Sequence, residues 1–370
     1  MHNLGIGVHG GAREELADYV RPRARPRATQ TLRTALQRLQ EWRIDRVVRK
    51  GAADAVVCIQ RAGRTVERWR KGKTNRPHMT PPKRIIQGVV HHGALPVLTA
   101  NEGDRYILPG LRRYMTLDEV ADAFAIGAHS SLRRALKGRG ARGAISEGNA
   151  VHMLGAAMHV GAFKLVLARA LELAGVEVGG QRRVRMGDAC SGVGTAAEAM
   201  EQLTSGQWEY VFAAEQAPTP RMVLETAWGH RGLRRVHGDA RTVHAEEKET
   251  VDVYVMTPDC YPFSKAGRGR DRSTAAAGVE AMLRYAQMRQ PSVVIMENAH
   301  ELITGAATSV RASGEEIEAA MRRVKGYKWY KQAVCAAEHG GSAMARKRAF
   351  WVGVRAAQVA RGRGGARKQP

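Results

Sequence analysis

The second half of the chain alternates short apolar runs with amphipathic ones, and this alternation constrains the fold more than any other feature. The apolar runs predict strands over residues 183–188, 209–214, 251–256, 292–297 and 348–354. The amphipathic runs predict helices over 194–203, 273–289 and 314–324. Strands and helices that alternate at this spacing predict an α/β domain whose parallel sheet is covered by helices on both faces.

Proline- and glycine-rich points divide the rest of the chain. Residues 1–28 are rich in Gly, Arg and Pro and predict a disordered basic arm. Residues 29–85 predict a helical region, with helices over 29–50 and 52–60. A mixed segment over 86–178 predicts helices at 116–126 and 149–174, and it precedes the α/β core at 179–356. The Gly/Arg-rich tail at 357–370 predicts disorder.

The charge balance predicts a polyanionic partner. Lys and Arg number 59 against 35 Asp and Glu, which gives a net charge of +24, and nucleic acid is the usual partner of so basic a chain. The four cysteines are widely spaced without a CxxC pair, so the sequence predicts no metal site and an intracellular, reducing compartment. We expect no membrane-spanning helix, because no apolar run reaches about 18 residues. We also expect a monomer.

A basic segment at 64–73, RTVERWRKGK, is similar to the recognition helix of a helix-turn-helix. With the helix predicted at 52–60 it would form a DNA-recognition region. An ordinary basic surface helix is the alternative. The residues that would contact DNA are Arg64, Arg68, Arg70, Lys71 and Lys73.

The first strand of the α/β core leads into a glycine-containing turn, DACSGVG at 188–194. Glycines at such a turn let backbone amides approach a ligand at a helix N-terminus. An acid at the end of the next strand, roughly 20 residues on, normally binds ribose hydroxyls. The cofactor candidates are Asp188, Cys190, Ser191, Gly192, Gly194, Glu215 and Asp239. By themselves they fit S-adenosylmethionine and a nicotinamide dinucleotide about equally well.

A second group of residues predicts chemistry on a pyrimidine ring. Cys260 follows one apolar strand in PDCYPFS, and Glu297 and Asn298 end the next. Cytosine C5 becomes nucleophilic when a thiolate adds to C6 and an acid neutralises the charge at N3. Arg346 and Arg348 supply cations. The Gly-rich loop after the cysteine carries further cations for phosphates, at Lys265, Arg268 and Arg270.

In combination, these segments resemble the DNA (cytosine-5-)-methyltransferase family. The resemblance implies a class I S-adenosylmethionine-dependent methyltransferase fold: Rossmann-like, doubly wound, with a mixed and mostly parallel sheet. A small helical N-terminal region would recognise double-stranded DNA. It further implies that Cys260 attacks C6 of a flipped cytosine, that Glu297 contacts N3 with Asn298 positioning it, and that Arg346 and Arg348 face the base.

The motifs of this family stand here in rotated order. PVLTAN at 96–101, RYMTLDE at 113–119 and GNAV at 148–151 resemble segments that close the family's usual order, yet they precede Asp188. The resemblance therefore implies a circular permutation, with target recognition N-terminal to Pro96. It also implies that Asn149, Ala150 and Val151 lie beside the cofactor.

Four residues depart from the family pattern. Asp259 stands in place of the proline before the cysteine, Cys190 in place of a phenylalanine, Met344 in place of a glutamine, and Ala299 in place of a valine. A carboxylate next to the thiol disfavours the thiolate. A catalytically inactive DNA-binding regulator and an RNA cytosine-5 methyltransferase are therefore alternatives, as is a nicotinamide-dependent oxidoreductase. Restriction-modification, epigenetic marking and viral genome protection are all compatible roles.

Overall fold

The computed structural model describes residues 1–6, 55–61, 86–92, 95, 97–98, 105–108, 113–140, 143–263, 272–305 and 308–355. Before the core, four strands pair antiparallel in the order β2-β1-β3-β4. They are β1 (Ala55–Arg61), β2 (Ile86–His92), β3 (Arg105–Leu108) and β4 (Arg113–Tyr114).

This small sheet corrects the helix predicted over 52–60, which is wrong. The segment AVVCIQR at β1 is rich in β-branched residues, whose stiff side chains favour strands. Pairing with β2 on one side and β3 on the other then decides its conformation. The first helix of the predicted helix-turn-helix is therefore a strand, while 29–50 and 64–73 lie outside the described residues.

Four helices and a short hairpin connect the small sheet to the core. The hairpin pairs β5 (Arg139–Gly140) with β6 (Gly143–Ala144). The helices are α1 (Leu117–Ala123), α2 (Ser131–Lys137), α3 (Glu147–Ala156) and α4 (Val160–Ala174). The segment TLDE at 116–119 starts α1 as a capping box, in which the side chains of Thr116 and Glu119 satisfy each other's backbone N–H groups.

The helix predicted over 149–174 is two helices. The side chain of His159 explains the break, because its Nδ1 accepts a hydrogen bond from the backbone N–H of Ala162 at 3.0 Å and so starts α4 anew. Glu147–Ala174 as a whole is apolar and long enough to cross a membrane, but more than half of its most apolar stretch is buried within the protein. Core helices of folded domains commonly have this composition.

The core is a seven-stranded mixed sheet in the order β12-β13-β11-β10-β7-β8-β9. Every strand predicted in the core is present, and β9 and β12 are additional. β13 is antiparallel to both of its neighbours, β11 and β12, whereas the other pairings are parallel. The strands are β7 (Val184–Ala189), β8 (Trp208–Ala214), β9 (Val236–His237), β10 (Val253–Met256), β11 (Val293–Ala299), β12 (Tyr327–Cys335) and β13 (Lys347–Arg355).

The three helices predicted in the core are confirmed as α5, α8 and α10, and both faces of the sheet are covered. Alternate residues of one strand face opposite layers: Val253 and Val255 belong to the apolar cluster that contains residues of α1 to α6, and Tyr254 and Met256 belong to the cluster that contains residues of α7 to α10. The core helices are α5 (Thr195–Thr204), α6 (Pro218–Trp228), α7 (Val243–Glu246), α8 (Arg272–Arg289), α9 (Glu301–Thr304), α10 (Thr308–Arg323) and α11 (Ala336–His339).

Residues 1–6 correct part of the predicted disordered arm, because they are paired with β12. The backbone N–H of Lys331 donates to the carbonyl of His2 at 2.7 Å, and the side chain of Gln332 exchanges two hydrogen bonds with the backbone of Ile6. Leu4 is buried in the core. These contacts cover the free edge of β12, whereas 7–28 and the tail at 357–370 lie outside the described residues.

We predict that Gly187→Ala destabilises the core. A Cβ at Gly187 of β7 would lie 2.3 Å from Cε1 of Phe212, whose ring is fixed between Tyr254 and Tyr285. Overpacking of this kind costs about 1–3 kcal/mol of unfolding free energy, measurable by urea titration. Gly278→Ala in α8 is the control: it meets no atom within 4 Å and should stabilise the helix. Equal stability of Gly187→Ala and wild type would contradict the prediction.

Candidate active site

The predicted cofactor and catalytic residues converge at one edge of the seven-stranded sheet. Parallel strands β7, β8, β10 and β11 all end there, and crevices beyond the carboxyl ends of parallel strands are the usual binding sites of α/β sheets. Antiparallel β13 begins at the same edge. Its register places Arg348 opposite Ala299, at the end of β11.

The turn after β7 is tied to the end of β8. The backbone N–H of Ser191 donates to the carbonyl of Ala214 at 2.9 Å, and that of Gly192 donates to Glu215 Oε2 at 2.9 Å. The other oxygen of Glu215 accepts from the N–H of Ala217 at 2.8 Å. The predicted ribose-binding acid is therefore held against the glycine turn.

This turn has the conformation expected of a ligand cradle. Gly192 and Gly194 have φ of +55° and +84°, values that favour glycine. A Cβ at Gly194 would lie 2.6 Å from Nε1 of Trp228, whereas one at Gly192 would meet no atom within 4 Å. The turn is thus tightly packed at Gly194 and open at Gly192, which leaves room for a bound group beside Glu215.

Asp188 is buried beneath the turn. Its carboxylate accepts hydrogen bonds from the hydroxyl of Ser191 and, at 2.7 Å, from the hydroxyl of Tyr210. Burial raises the pKa of Asp188 to about 7, the nearby charge of Glu215 adds to this, and the two hydroxyl donors oppose it. Sequence reasoning missed Tyr210, which belongs to the alternating inward face of β8.

The remaining cofactor candidates lie around this turn and in the preceding helices. Asp239 accepts hydrogen bonds from the backbone and guanidinium of Arg241, the shortest at 2.7 Å, and these lower its pKa. Cys190 packs with its sulfur 3.9 Å from that of Met282. Asn149 is exposed in the first turn of α3, Ala150 is buried, and Val151 is half-buried.

Cys260 lies on the loop after β10, half-buried beside the turn that carries Cys190. Two hydrogen bonds from Thr257 join this loop to the turn at 188–194, the predicted cofactor turn: its N–H donates to the carbonyl of Ala189 at 3.0 Å and its hydroxyl to that of Cys190 at 2.7 Å. A third runs from Nδ2 of Asn298 to the carbonyl of Pro258 at 3.1 Å. Hydrogen bonds to the ends of β7 and β11, the two neighbours of β10, therefore fix the loop of Cys260.

The electrostatics of Cys260 favour a protonated thiol at rest. Burial raises its pKa, and the carboxylates of Glu297 and Asp259 add to the effect. The guanidinium groups of Arg348 and Arg346 oppose it. The predicted influence of Asp259 is thus present in the structure, but burial contributes more.

Glu297 is 7 % exposed and forms an ion pair with Arg348, whose Nε lies 3.0 Å from Oε1 of the carboxylate. Burial raises the pKa of Glu297, and Arg348 and Arg346 oppose that shift. Next to it, Asn298 is fully buried and accepts from the N–H of Ala299 at 2.7 Å. Glu297 and Arg348 thus form a carboxyl-guanidinium contact at the end of β11, and both lie close enough to Cys260 to affect its pKa.

Arg346 is buried and directed at backbone from the preceding segment. Its Nη1 donates to the carbonyl of Leu98 at 2.8 Å, and its Nη2 donates to those of Gly155 and Ala157 at 3.2 and 2.8 Å. Its guanidinium also lies 5.6 Å from the ring of Phe124. These contacts join the backbone at Leu98, Gly155 and Ala157 to the start of β13.

The basic residues predicted to contact DNA, both at 64–73 and at Lys265, Arg268 and Arg270, lie outside the described residues. Within the described part of the chain, no group of three or more His, Cys, Asp and Glu side chains could hold a metal ion. Cys190, Cys260 and Cys335 are free thiols.

The sheet order, with the reversed strand β13 inserted between β11 and β12, is that of class I S-adenosylmethionine-dependent methyltransferases. Residues 184–366 match the family model of C-5 cytosine-specific DNA methylases, so the chain carries a domain of that family and its cofactor is S-adenosylmethionine. The open turn over Gly192, with Glu215 beside it, fits this cofactor.

Solved structures that resemble the chain are distant. TrmN from Thermus thermophilus is 18% identical over 53% of this chain and 51% of its own, with a TM-score of 0.34. A candidate DNA modification methyltransferase from an E. coli prophage is 18% identical over 47% of each chain, with a TM-score of 0.33. Aeropyrum pernix fibrillarin, solved with natively bound S-adenosyl-L-methionine, is 17% identical over 51% of this chain and 74% of its own, with a TM-score of 0.33.

The chain thus spans about half the length of the first two of these structures. No curated protein sequence matches it significantly.

We predict that ionisation of Asp188 destabilises the fold as pH rises. Its folded pKa is raised to about 7 from an ordinary value of 3.8, so its contribution to stability is complete below the ordinary value and is lost as pH rises through 7. Each pKa unit corresponds to about 1.4 kcal/mol. Asp188→Asn should therefore gain stability relative to wild type between about pH 5 and pH 8, as measured by urea unfolding.

Tyr285→Phe is the control for this pH dependence, since it removes a buried hydroxyl that donates to the carbonyl of Glu249 and no carboxyl group. Its stability difference from wild type should be the same at both pH values. A difference between Asp188→Asn and wild type that does not change with pH would refute the ionisation of Asp188.

Proposed function

We propose that this protein methylates C5 of cytosine in DNA, with Cys260 forming a covalent bond to C6 of a base flipped out of the duplex. One observation carries the proposal: the loop of Cys260 is fixed between the cofactor turn and the Glu297–Arg348 pair. A thiol, a carboxyl group and a methyl donor must meet on one ring, and this arrangement brings their sites together.

Cys260 and Glu297 would act on different atoms of the cytosine ring. Sulfur of Cys260 bonds to C6 while the ring electrons move toward N3, where Glu297 donates a proton. S-adenosylmethionine, when bound, supplies an electrophilic methyl group, which C5 takes. Solvent water then accepts the C5 proton, the Cys260 thiolate leaves C6, and N3 returns its proton to Glu297, which restores the aromatic ring.

The buried Glu297–Arg348 pair suits proton donation. Burial raises the pKa of Glu297, so the acid form becomes more available near neutral pH. Arg348 opposes the shift while fixing the carboxyl group in place, and its guanidinium stabilises negative charge on the ring. The pKa of the Cys260 thiol is also raised. The thiol must therefore lose its proton after the target cytosine has bound and before the sulfur attacks C6.

Circular permutation is supported by contacts between segments far apart in sequence. Leu95 forms a bridge with Met344 through a hydrogen bond from its N–H to the carbonyl of Ala343 at 3.1 Å. Arg346 then binds the carbonyl of Leu98. In the family's usual order, the segment that contains Leu98 would follow the target-recognition region and the segment that contains Arg346 would precede it. The two segments lie side by side in this protein. On this proposal strands β1 and β2, and not the helix predicted at 52–60, form part of the recognition region.

Double-stranded DNA is the partner we propose, in an intracellular protein acting as a monomer. The net charge of +24 supports a polyanionic substrate. RNA would meet the same chemistry on a single-stranded cytosine. A regulator without activity would keep the fold and DNA binding alone, and restriction-modification is one compatible role for an active enzyme.

The nucleophile test is methyl transfer from labelled S-adenosylmethionine to unmethylated duplex DNA, with bisulfite sequencing of the product. Wild type should label cytosine C5, and Cys260→Ala should lose the label while keeping DNA binding, because no other group replaces the thiol. Cys335→Ala is the control, since Cys335 is a buried cysteine in β12 that we place outside the site. Label on single-stranded RNA alone would indicate the RNA enzyme, and no label despite cofactor binding would indicate the regulator.

The acid test is Glu297→Gln. Loss of the proton donor should lower kcat by roughly 10²–10⁴-fold, with little change in DNA affinity. Glu318→Gln is the matched control, because Glu318 is a carboxylate that binds Lys331 and Trp351 within the core. It should lower stability but leave kcat near wild type. Equal kcat for Glu297→Gln and wild type would exclude proton donation by this residue.

A further inference from the structure

Thr257 lies where the cofactor turn and the loop of Cys260 touch, yet neither the sequence motifs nor the mechanism above uses its side chain. Its hydroxyl donates to the carbonyl of Cys190 at 2.7 Å, and its N–H donates to the carbonyl of the preceding residue, Ala189, at 3.0 Å. Thr257 itself stands three residues before Cys260. A single residue thus bonds the peptide groups on both sides of the Cys190 α-carbon.

The acceptor of this hydrogen bond is unusual. Cys190 has φ of +59°, a left-handed value that residues other than glycine seldom adopt. Such a conformation persists only where its surroundings fix it. The hydroxyl of Thr257 on the carbonyl and the Met282 sulfur beside the side chain provide that restraint. The conformation of the turn and the position of Thr257 therefore depend on each other.

The same hydrogen bond belongs to a continuous series across the site. Glu215 holds Gly192, which is two residues after Cys190, and Cys190 holds Thr257. Beyond Thr257, the carbonyl of Pro258 accepts from Asn298, the neighbour of Glu297. The series begins at the acid proposed to bind the cofactor ribose and ends at Asn298, next in sequence to the acid proposed to bind the base.

We propose that Thr257 is a positioning residue that couples occupancy of the cofactor turn to the position of Cys260. This inference rests on the proposed function, since it requires the cofactor to bind at the turn. A ligand that fixes Ser191, Gly192 and Glu215 also fixes the peptide of Cys190, and the threonine hydroxyl passes that restraint to the loop three residues before the nucleophile. Cofactor binding would thereby order the thiol before the base arrives.

The test measures this coupling without methyl transfer. S-adenosylhomocysteine, which carries no transferable methyl group, is bound to wild type, Thr257→Val and Thr257→Ser, and its affinity is measured by calorimetry. Alkylation of Cys260 by iodoacetamide is then followed by peptide mass spectrometry with and without this ligand. Buried Cys335 in the same samples is the internal reference.

In wild type the ligand should slow alkylation of Cys260 by roughly fivefold or more, the usual lower range of coupling between sites. Thr257→Val keeps the shape but lacks the hydroxyl, so the effect should fall below about twofold, although the ligand still binds. Thr257→Ser restores the hydroxyl and should restore the slowing. A merely structural role would lower stability in Thr257→Val and leave the ligand's effect on Cys260 unchanged.

Slowing in Thr257→Val equal to wild type would overturn the proposal, as would no slowing in wild type that has bound the ligand. Failure of wild type to bind S-adenosylhomocysteine at all would overturn the proposed function and the coupling together, and calorimetry distinguishes that case. If Thr257→Val does not fold, hydrogen exchange on wild type decides. The backbone amides of Asp259, Cys260, Tyr261 and Phe263 should exchange more slowly with the ligand, and unchanged exchange refutes the coupling.

Discussion

The contact between Arg348 and Glu297 depends on the direction of β13, and the rest of the site depends on that contact. Because β13 runs against β11, its first residues lie at the edge where the parallel strands end. Arg348 can therefore pair with a carboxyl group that is only 7 % exposed. Removing one partner of such a buried pair leaves an uncompensated charge, which is costly. The reversed strand thus supplies the cation that makes a buried acid tolerable beside the thiol.

The same edge explains why residues distant in sequence act together. Arg346, two residues before Arg348, uses its donors on the carbonyls of Leu98, Gly155 and Ala157. The start of β13 and the preceding segment are therefore joined, although about 190 to 250 residues separate the bonded groups. Unmet backbone carbonyls inside a protein are expensive, so a buried guanidinium with several carbonyl partners is a stable way to join two segments.

Much of the α/β core was predictable from local pattern. Continuous apolar runs such as that of β11 indicate buried parallel strands, and the amphipathic periodicity of α5 and α10 indicates helices over the sheet. β12 escaped prediction because lysine and glutamine interrupt its aromatic residues, a composition that fits a strand near an edge. β1 was mistaken for a helix although its β-branched residues favour a strand, and the pairing with β2 and β3 that decides its conformation comes from elsewhere in the chain.

The sequence by itself determined the residue types of the site: a cysteine, an acid and two arginines at strand ends, with glycines and a second acid at the cofactor turn. Local pattern decides these, because each follows from the strand that precedes it. Only the tertiary structure decided their partners. Arg346 binds backbone, Arg348 binds Glu297, and Thr257 joins the two loops. Such pairings depend on strand direction and register, which no single segment specifies.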